Sequence, residues 1–461
     1  MNTTSSIFSE IKKTLNLAAP LLFSEWLYAL NFFVSTWIAA QLGREALAAI
    51  ALVQSIYFFL LMMISGISAA IAILVAHDLG ANDLRGIKHI FVQGLLLNLI
   101  LVVIAGLILW NVPYILAYLK IANSLVILLT QEALHAYLYS LIPLAFLIML
   151  EKFLIGLHRT RLVLFFTIWI IPVSIIANYT LVLGKWGLPY CGLAGFGYGH
   201  AIAYGIFGVL FIGMTFMMPS LRVYQIFSAF KNLASNFKYF FEIWRVGWPL
   251  GAMFSIEMGA VLLFTFFMSL FGTEVLAAFQ VTRPYLVFAL TSLFALVESA
   301  AVTVGYAVGE NNRQLVKRRF YINVSLTTIF MMMLASFYLS AQKVLIAVDI
   351  NMADPANHTL ITHAHHFLVA IAVFIIFDGI RNTTAGSLRG LKDTRSNMYS
   401  SILGYWICGL PLAYLLGRIL LLGGDGLWAG FIAGIAISAF YLWMRFRYLS
   451  SRVDLELLRK Y

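Results

Sequence analysis

Charged residues are scarce in this chain: Asp, Glu, Lys and Arg together make up 11% of its 461 residues. Soluble domains carry about a quarter, so this composition excludes an ordinary water-soluble protein. Cysteine is also rare, and the two present, Cys191 and Cys408, exclude a disulfide framework. Neither a glycine-rich phosphate loop nor a Ser/His/Asp constellation occurs. We therefore expect no enzyme, no metal and no cofactor.

Apolar residues make up 62% of the chain and recur in runs that are long enough to cross a bilayer. A membrane-spanning helix needs about 20 such residues. The pattern predicts an all-α polytopic membrane protein with twelve transmembrane helices. The expected spans are 14–40, 46–76, 90–112, 132–156, 162–183, 191–218, 246–271, 277–308, 320–340, 363–388, 396–420 and 426–448.

The basic residues are distributed unevenly between the two sides of these spans. Of the 30 Lys and Arg, 23 lie in segments or helix ends on the side of the N-terminus, and five lie in loops on the other side. Because Lys and Arg concentrate on the cytoplasmic side, we expect both termini in the cytoplasm. The formal net charge of +11 then reflects topology and contact with the lipid bilayer, not nucleic acid. We expect a multi-pass protein of the inner (plasma) membrane.

The chain contains an internal repeat. Pro249 follows Pro20 at the same sequence spacing at which Gly272 follows Gly43. Later motifs, such as "LHRTR" at 157–161 and "LKDTR" at 391–395, recur at a slightly longer spacing, which indicates a short insertion in the second half. Six spans in each half have the same orientation, which predicts two six-helix bundles related by a pseudo-two-fold axis along the membrane normal.

This repeat predicts three parts of the chain. We expect an N-terminal lobe over 1–218, a cytoplasmic linker over 219–245 and a C-terminal lobe over 246–461. A substrate path between the lobes is the natural consequence of such a plan. Within each lobe, small residues four apart indicate close helix packing. The glycines at this spacing are Gly195 and Gly199 in the first lobe, and Gly426, Gly430 and Gly434 in the second.

A few acidic residues lie deep within the predicted spans. Glu25, Glu257 and Asp378 each lie about 20 Å from a span end, near the membrane midplane. Glu298 lies deeper in the eighth span, and Arg283 lies nearer the outer end. An ionised group at the midplane costs about 2.5–3.5 kcal/mol, so each acid needs a proton, a cation or a charged partner.

Two interpretations of these acids remain open. In one, Glu257 and Asp378 bind and release a proton or a metal cation and thereby couple transport to an ion gradient. In the other, they form fixed salt bridges that hold helices together. Asp378 and Arg381 are three residues apart, share a helix face and are able to pair.

Several motifs resemble the multidrug and toxic compound extrusion (MATE) family, most closely its NorM-like subgroup. The motifs are "AAP" at 18–20, "LGREALAAIAL" at 42–52, "NYTLVLGKWGLPYCGLAG" at 178–195, "LAAFQV" at 276–281 and "FDGIRNTTAGSLRGLKDTR" at 377–395. The resemblance implies export of amphipathic, often cationic compounds in exchange for inward H⁺ or Na⁺. It also implies that Glu257 and Asp378 form the cation-coupling site.

The chain departs from the family pattern in its N-terminal lobe. Many relatives have an aspartate in the first span where this chain has Ser35, and Glu25 lies ten residues earlier. Asn178 matches the asparagine of the fifth span. These three residues form a possible N-lobe site.

In the C-terminal lobe we expect one charge network. Its predicted members are Glu257, Glu298, Asp378, Arg283 and Arg381. Three acids and two arginines leave one negative charge, which predicts about one coupling cation per cycle.

The sequence therefore predicts a monomeric, cation-coupled drug antiporter that works by alternating access. One alternative is a lipid-linked saccharide flippase of the same superfamily, although a polyanionic head group needs more central cations than Arg283 and Arg381. A second alternative is a channel or receptor, although no continuous polar stripe follows several helices.

Overall fold

The structure, a computed structural model, describes residues 7–118, 123–218, 223–224 and 237–452. Within these ranges the regular structure is helical, and twelve helices are long and apolar enough to cross a membrane. The predicted all-α fold with twelve spans is confirmed. These twelve helices are α1 (Ile7–Ala40), α2 (Arg44–Gly80), α3 (Leu84–Tyr118), α4 (Ser124–Gly156), α5 (Thr160–Leu183), α6 (Ala194–Met217), α7 (Phe237–Ser269), α8 (Thr273–Gly309), α9 (Arg313–Ser340), α10 (His358–Gly390), α11 (Thr394–Ile419) and α12 (Gly423–Arg452).

Each half contains short turns between consecutive helices, and equivalent turns in the two halves have the same backbone conformation. Asn82 and Asn311, which have the same spacing as Pro20 and Pro249, have φ angles of 57° and 54°. His158 and Lys392, which have the longer spacing of the later motifs, have φ angles of 59° and 57°. Residues other than glycine rarely adopt a positive φ angle. Its recurrence at both predicted spacings is therefore structural evidence for the repeat.

The turns before α2 and α8 match in the same way. Gly43 and Gly272 have φ angles of 106° and 104°, and each precedes the first residue of its helix. Glycine adopts such angles without steric cost, which explains its presence at this turn in both halves of the repeat.

The chain divides into two compact units, and each contains part of both halves of the sequence. The N-terminal unit comprises Phe23–Gly251, and the C-terminal unit comprises residues up to Leu22 together with those from Ala252 onward. The chain passes between units within α1 and α7, shortly after Pro20 and Pro249. The predicted lobe boundaries at 218 and 246 lie elsewhere, and they stay predictions because 219–222 and 225–236 lie outside the described residues.

Packing within each unit explains this division. Ala18 of α1 belongs to the apolar core of the C-terminal unit, whose centre holds Phe264, Trp428 and Phe431. The Phe264 ring lies 5.1 Å from that of Trp428 and 4.4 Å from that of Phe431. In the other unit, the start of α7 packs on α2, where a Cβ on Gly251 would lie 2.7 Å from Cγ1 of Ile67.

The predicted small-residue contacts are present. A Cβ on Gly195 would lie 2.6 Å from the backbone N of Val182, and one on Gly426 would lie 2.7 Å from the backbone of Leu416. The equivalent atom on Gly434 would overlap the carbonyl oxygen of Gly404. These glycines let α6 approach α5 and α12 approach α11.

Two segments of π-helix, which no sequence feature predicts, interrupt α11. They span Ile402–Gly409 and Leu415–Ile419. Pro411 lies between them and has no N–H to donate to the carbonyl four residues earlier. Such turns are frequently found at functional sites, and the first of them begins next to Ser401, which belongs to the candidate site.

Candidate functional site

A buried arginine lies at the centre of the candidate site. Arg381 of α10 donates from Nε to Asp378 Oδ1 over 2.9 Å and from Nη1 to Glu257 Oε1 over 2.9 Å. The helix spacing places Asp378 and Arg381 on the same face of α10, and Glu257 arrives from α7. The structure therefore brings together the two predicted coupling acids and the arginine, which lies between them.

The first π-helical turn of α11 completes the shell around this arginine. Ser401, just before the turn, donates from Oγ to Glu257 Oε1 over 2.7 Å. Tyr405, within the turn, accepts from Arg381 Nη2 over 3.2 Å, and its ring centre lies 5.1 Å from the guanidinium carbon. Sequence reasoning missed both residues, because a serine and a tyrosine in an apolar span carry no charge signal.

Burial separates the two acids. Asp378 and Arg381 are each 1% exposed, whereas the side chain of Glu257 is 15% exposed. Asp378 uses Oδ1 for the ion pair, and its Oδ2 is buried without a hydrogen-bond partner in the described part of the chain. A buried carboxylate oxygen without a donor carries a desolvation cost. Of the two acids, Asp378 thus presents the unsatisfied oxygen.

A second buried arginine, Arg389, extends the charged cluster along α10. It is 4% exposed, its Nη2 lies 3.8 Å from the sulfur of Met253, and its guanidinium lies 5.9 Å from the ring centre of Phe254. Glu298 and Glu257 lie within electrostatic range of it. The sequence places Arg389 just beyond the end of the predicted tenth span, but α10 continues to Gly390, and the side chain is buried within the protein.

Arg283 takes no part in this cluster, contrary to the sequence prediction. Its side chain is exposed near the start of α8, and it makes no ion pair with any residue in the described ranges. Arg389 supplies the second cation instead. The balance of three acids against two arginines is therefore unchanged, with one net negative charge.

The N-terminal candidates lie on α1 and α5. Ser35 and Asn178 are 5% and 0% exposed, and Glu25 is half-buried. Neither the Nδ2 nor the Oδ1 atom of Asn178 has a hydrogen-bond partner among the described residues. Ser35 and Asn178 share no hydrogen bond within the described residues. Their role stays a prediction.

The net charge of this group follows from the sharing of one guanidinium, that of Arg381, by two carboxylates. With both acids ionised, Asp378 and Glu257 carry two negative charges against the single positive charge of Arg381. One added positive charge therefore cancels the net charge of the buried group, which a low-dielectric interior favours.

Twelve spans, a repeated six-helix plan and a buried cluster of titratable groups together define a membrane transporter. Comparison with known families gives the particular family. The MatE family profile matches residues 20–180 and 249–415, once in each half, and the two matches start at the repeated prolines Pro20 and Pro249. The chain belongs to the MatE family. The family resemblance is confirmed, and membership in a transporter family supports the expectation that the chain is not an enzyme.

Individual relatives cover nearly the whole chain. A probable multidrug resistance protein NorM from Deinococcus radiodurans is 30% identical over 454 residues, covering 96% of this chain and 97% of that protein. Another from Synechocystis sp. is 29% identical over 437 residues and covers 94% of each chain. Among solved structures, a multidrug resistance MATE family transporter of the MOP superfamily, in an outward-facing conformation, superposes with a TM-score of 0.85 at 16% identity and 99% coverage of both chains. The structural likeness supports the same fold.

Proposed function

We propose that this protein is a multidrug exporter that exchanges amphipathic, often cationic compounds for an inward-moving H⁺ or Na⁺. The relatives named multidrug resistance protein NorM support the substrate class. The observation that carries the coupling proposal is the single guanidinium of Arg381 shared by Asp378 and Glu257. Two acids on one arginine leave a charge that one cation neutralises.

Asp378 is the proposed site of cation binding. In this proposal its Oδ2, for which no hydrogen bond is found within the described ranges, accepts the proton or contacts the ion, while Arg381 remains paired with Glu257. Glu257, the more exposed acid, links the cluster to α7 and to Ser401 of α11. A change in occupancy at Asp378 thus acts on Arg381, the residue that joins α10 to Glu257 of α7.

The proposed cycle uses alternating access. The drug enters from the cytoplasm, the path opens to the outside, and a cation then binds at the cluster and releases the drug. The neutralised cluster allows the return step, because neutral groups cost less to bury than charged ones. We propose that the protein works as a monomer in the inner (plasma) membrane. The proposed cytoplasmic position of both termini rests on the concentration of Lys and Arg on that side.

Efflux of ethidium from reconstituted vesicles, with a pH gradient or a Na⁺ gradient imposed separately, tests the proposal. We expect one gradient alone to drive efflux by the wild-type protein. The variants Glu257→Gln and Asp378→Asn should lose gradient-driven efflux and still be produced at normal levels. Glu274→Gln, which changes an exposed acid of α8 in the same unit, is the matched control and should export normally.

Normal efflux from both cluster variants would refute the assignment of the coupling site. Export that proceeds equally well without either gradient would refute cation coupling altogether.

A further inference from the structure

A cavity of about 750 Å³ lies in the N-terminal unit, and none of its described lining residues belongs to the Arg381 cluster. Three helices form it at the end of the unit where α3 ends and where α4 and α6 begin. Small-molecule sites typically have volumes of about 300–1,000 Å³, so this cavity is large enough for an organic ion.

Aromatic rings from all three helices line the cavity. The rings of Trp110 on α3 and His135 on α4 are stacked, with centres 4.3 Å apart and an interplanar angle of 14°. Tyr139 on α4 and Tyr198 on α6 form a second pair with centres 5.7 Å apart. Trp110, Tyr139 and Tyr198 are 50%, 67% and 38% exposed, so much of each ring remains free for contact with a ligand.

A carboxylate accompanies these rings. Glu132 lies one helical turn before His135, lines the same cavity and is exposed. Among the residues that the structure describes, it has no ion pair and no hydrogen bond. Neither lysine nor arginine is found among the described residues that line the cavity. Glu132 therefore places a negative charge among the aromatic rings that line the cavity.

This combination favours one class of ligand. Aromatic faces attract ammonium groups through the ring quadrupole, and boxes of such rings recognise quaternary ammonium. Tryptophan and tyrosine also occur singly at membrane interfaces, where they face lipid head groups. Here, however, rings from three helices converge on one cavity with an acid.

We propose that the cavity formed by Trp110, His135, Tyr139 and Tyr198 around Glu132 binds an organic ammonium ion. Two sources share this chemistry: a transported amphipathic cation and the amine head group of a phospholipid. Trp110 lies eight residues before Tyr118, where α3 ends, which is about 12 Å along the helix axis. The site does not depend on the coupling proposal, because its residues belong to the other unit.

The test uses the full-length protein in nanodiscs of phosphatidylglycerol, titrated with phenyltrimethylammonium by calorimetry. Every protein in this titration also carries Asp378→Asn, so that binding of the ammonium ion at the proposed coupling site does not contribute to the measured Kd. We expect Glu132→Gln to raise Kd roughly three- to tenfold, because the variant keeps the shape of the side chain and removes its charge. Tyr139→Leu should raise Kd to a similar extent, and its exposed position makes the change compatible with folding.

The matched control is Glu45→Gln. Glu45 is an exposed acid at the start of α2, in the same unit, and its removal should leave Kd unchanged. Unchanged binding in both Glu132→Gln and Tyr139→Leu would overturn the proposal, as would an equal loss in the Glu45→Gln control.

A second titration identifies the source of the ligand. Nanodiscs that contain equal parts of phosphatidylethanolamine and phosphatidylglycerol supply a competing head group. If the apparent Kd for phenyltrimethylammonium rises in these nanodiscs, and does so with Glu132 present but not in Glu132→Gln, the natural ligand is a lipid head group. An unchanged Kd supports a soluble organic cation at the same site.

Discussion

Arg319 Nε donates a hydrogen bond to Glu10 Oε2 over 3.1 Å, although the two residues are 309 positions apart in the chain. Both side chains are buried, at 5% and 2% exposure. Arg319 Nη1 also donates to the carbonyl oxygen of Thr303 over 2.7 Å, so this arginine joins α1, α8 and α9. The contact anchors the start of α1 within the C-terminal unit.

Removal of this arginine should destabilise the protein. Arg319→Met leaves Glu10 as a buried acid that still pairs with Lys13, at 2.8 Å, and loss of one member of a buried pair costs about 3–5 kcal/mol. Thermal unfolding in detergent should therefore show a clearly lower Tm. The double variant Glu10→Gln/Arg319→Met should recover part of the loss, and Lys13→Met, at a side chain that is 60% exposed, should have little effect. A Tm for Arg319→Met equal to that of the wild type would contradict the structural role of the pair.

The Arg381 cluster makes a second prediction about paired charges. Arg381→Met leaves Asp378 and Glu257 without their shared cation, and we expect a loss of about 3 kcal/mol in unfolding free energy. A further Glu257→Gln change removes one of the two stranded charges, so the double variant should be more stable than Arg381→Met alone. Circular dichroism during thermal unfolding measures both differences. Equal stability of the single and double variants would argue that the two acids are not held by one guanidinium.

The charge balance of the cluster predicts the stoichiometry of transport. One inward H⁺ or Na⁺ in exchange for one outward monovalent drug is electrically neutral. Ethidium efflux from vesicles should therefore have the same rate when valinomycin and potassium set the membrane potential to different values. Two coupled cations per drug would make efflux respond strongly to the potential, and that response would contradict a single-cation site.

The close approach of α12 and α11 predicts a sensitive glycine. A methyl group at Gly434 would overlap backbone atoms of Gly404 and Gly409, so Gly434→Ala should reduce stability by about 1–3 kcal/mol. Gly205→Ala is the matched control, because no neighbouring atom lies within 4 Å of its added Cβ. Retention of folded protein on size-exclusion chromatography at rising temperature compares the two. Similar curves for both variants would rule out the proposed packing constraint.

The overall fold could be predicted from the sequence, because the length of each apolar run and the spacing of the repeat can both be read without knowledge of tertiary contacts. Long apolar runs predicted the twelve spans, and the spacing of the repeat reappears in the φ angles of Asn82 and Asn311. Exact helix ends were less accessible. α1 begins at Ile7 and α10 extends to Gly390, because these helices continue past the apolar segment that marks a span.

The candidate site was only partly accessible for a related reason. Charge in an apolar run identifies Glu257, Asp378 and Arg381 from sequence alone. Their uncharged partners, Ser401 and Tyr405, become evident only when α11 is placed beside α10. Likewise, a basic residue near a span end gives no sequence signal that distinguishes the buried Arg389 from the exposed Arg283.

The passage of the chain between units within α1 and α7 has a consequence for dissecting the molecule. Cutting the gene in the 225–236 segment yields two polypeptides, each of which carries a helical stretch that packs in the other's unit. The first fragment ends without the part of α7 that lies against Ile67, and the second lacks Glu10, the partner of Arg319. Separately translated halves should therefore require co-expression to yield a stable product.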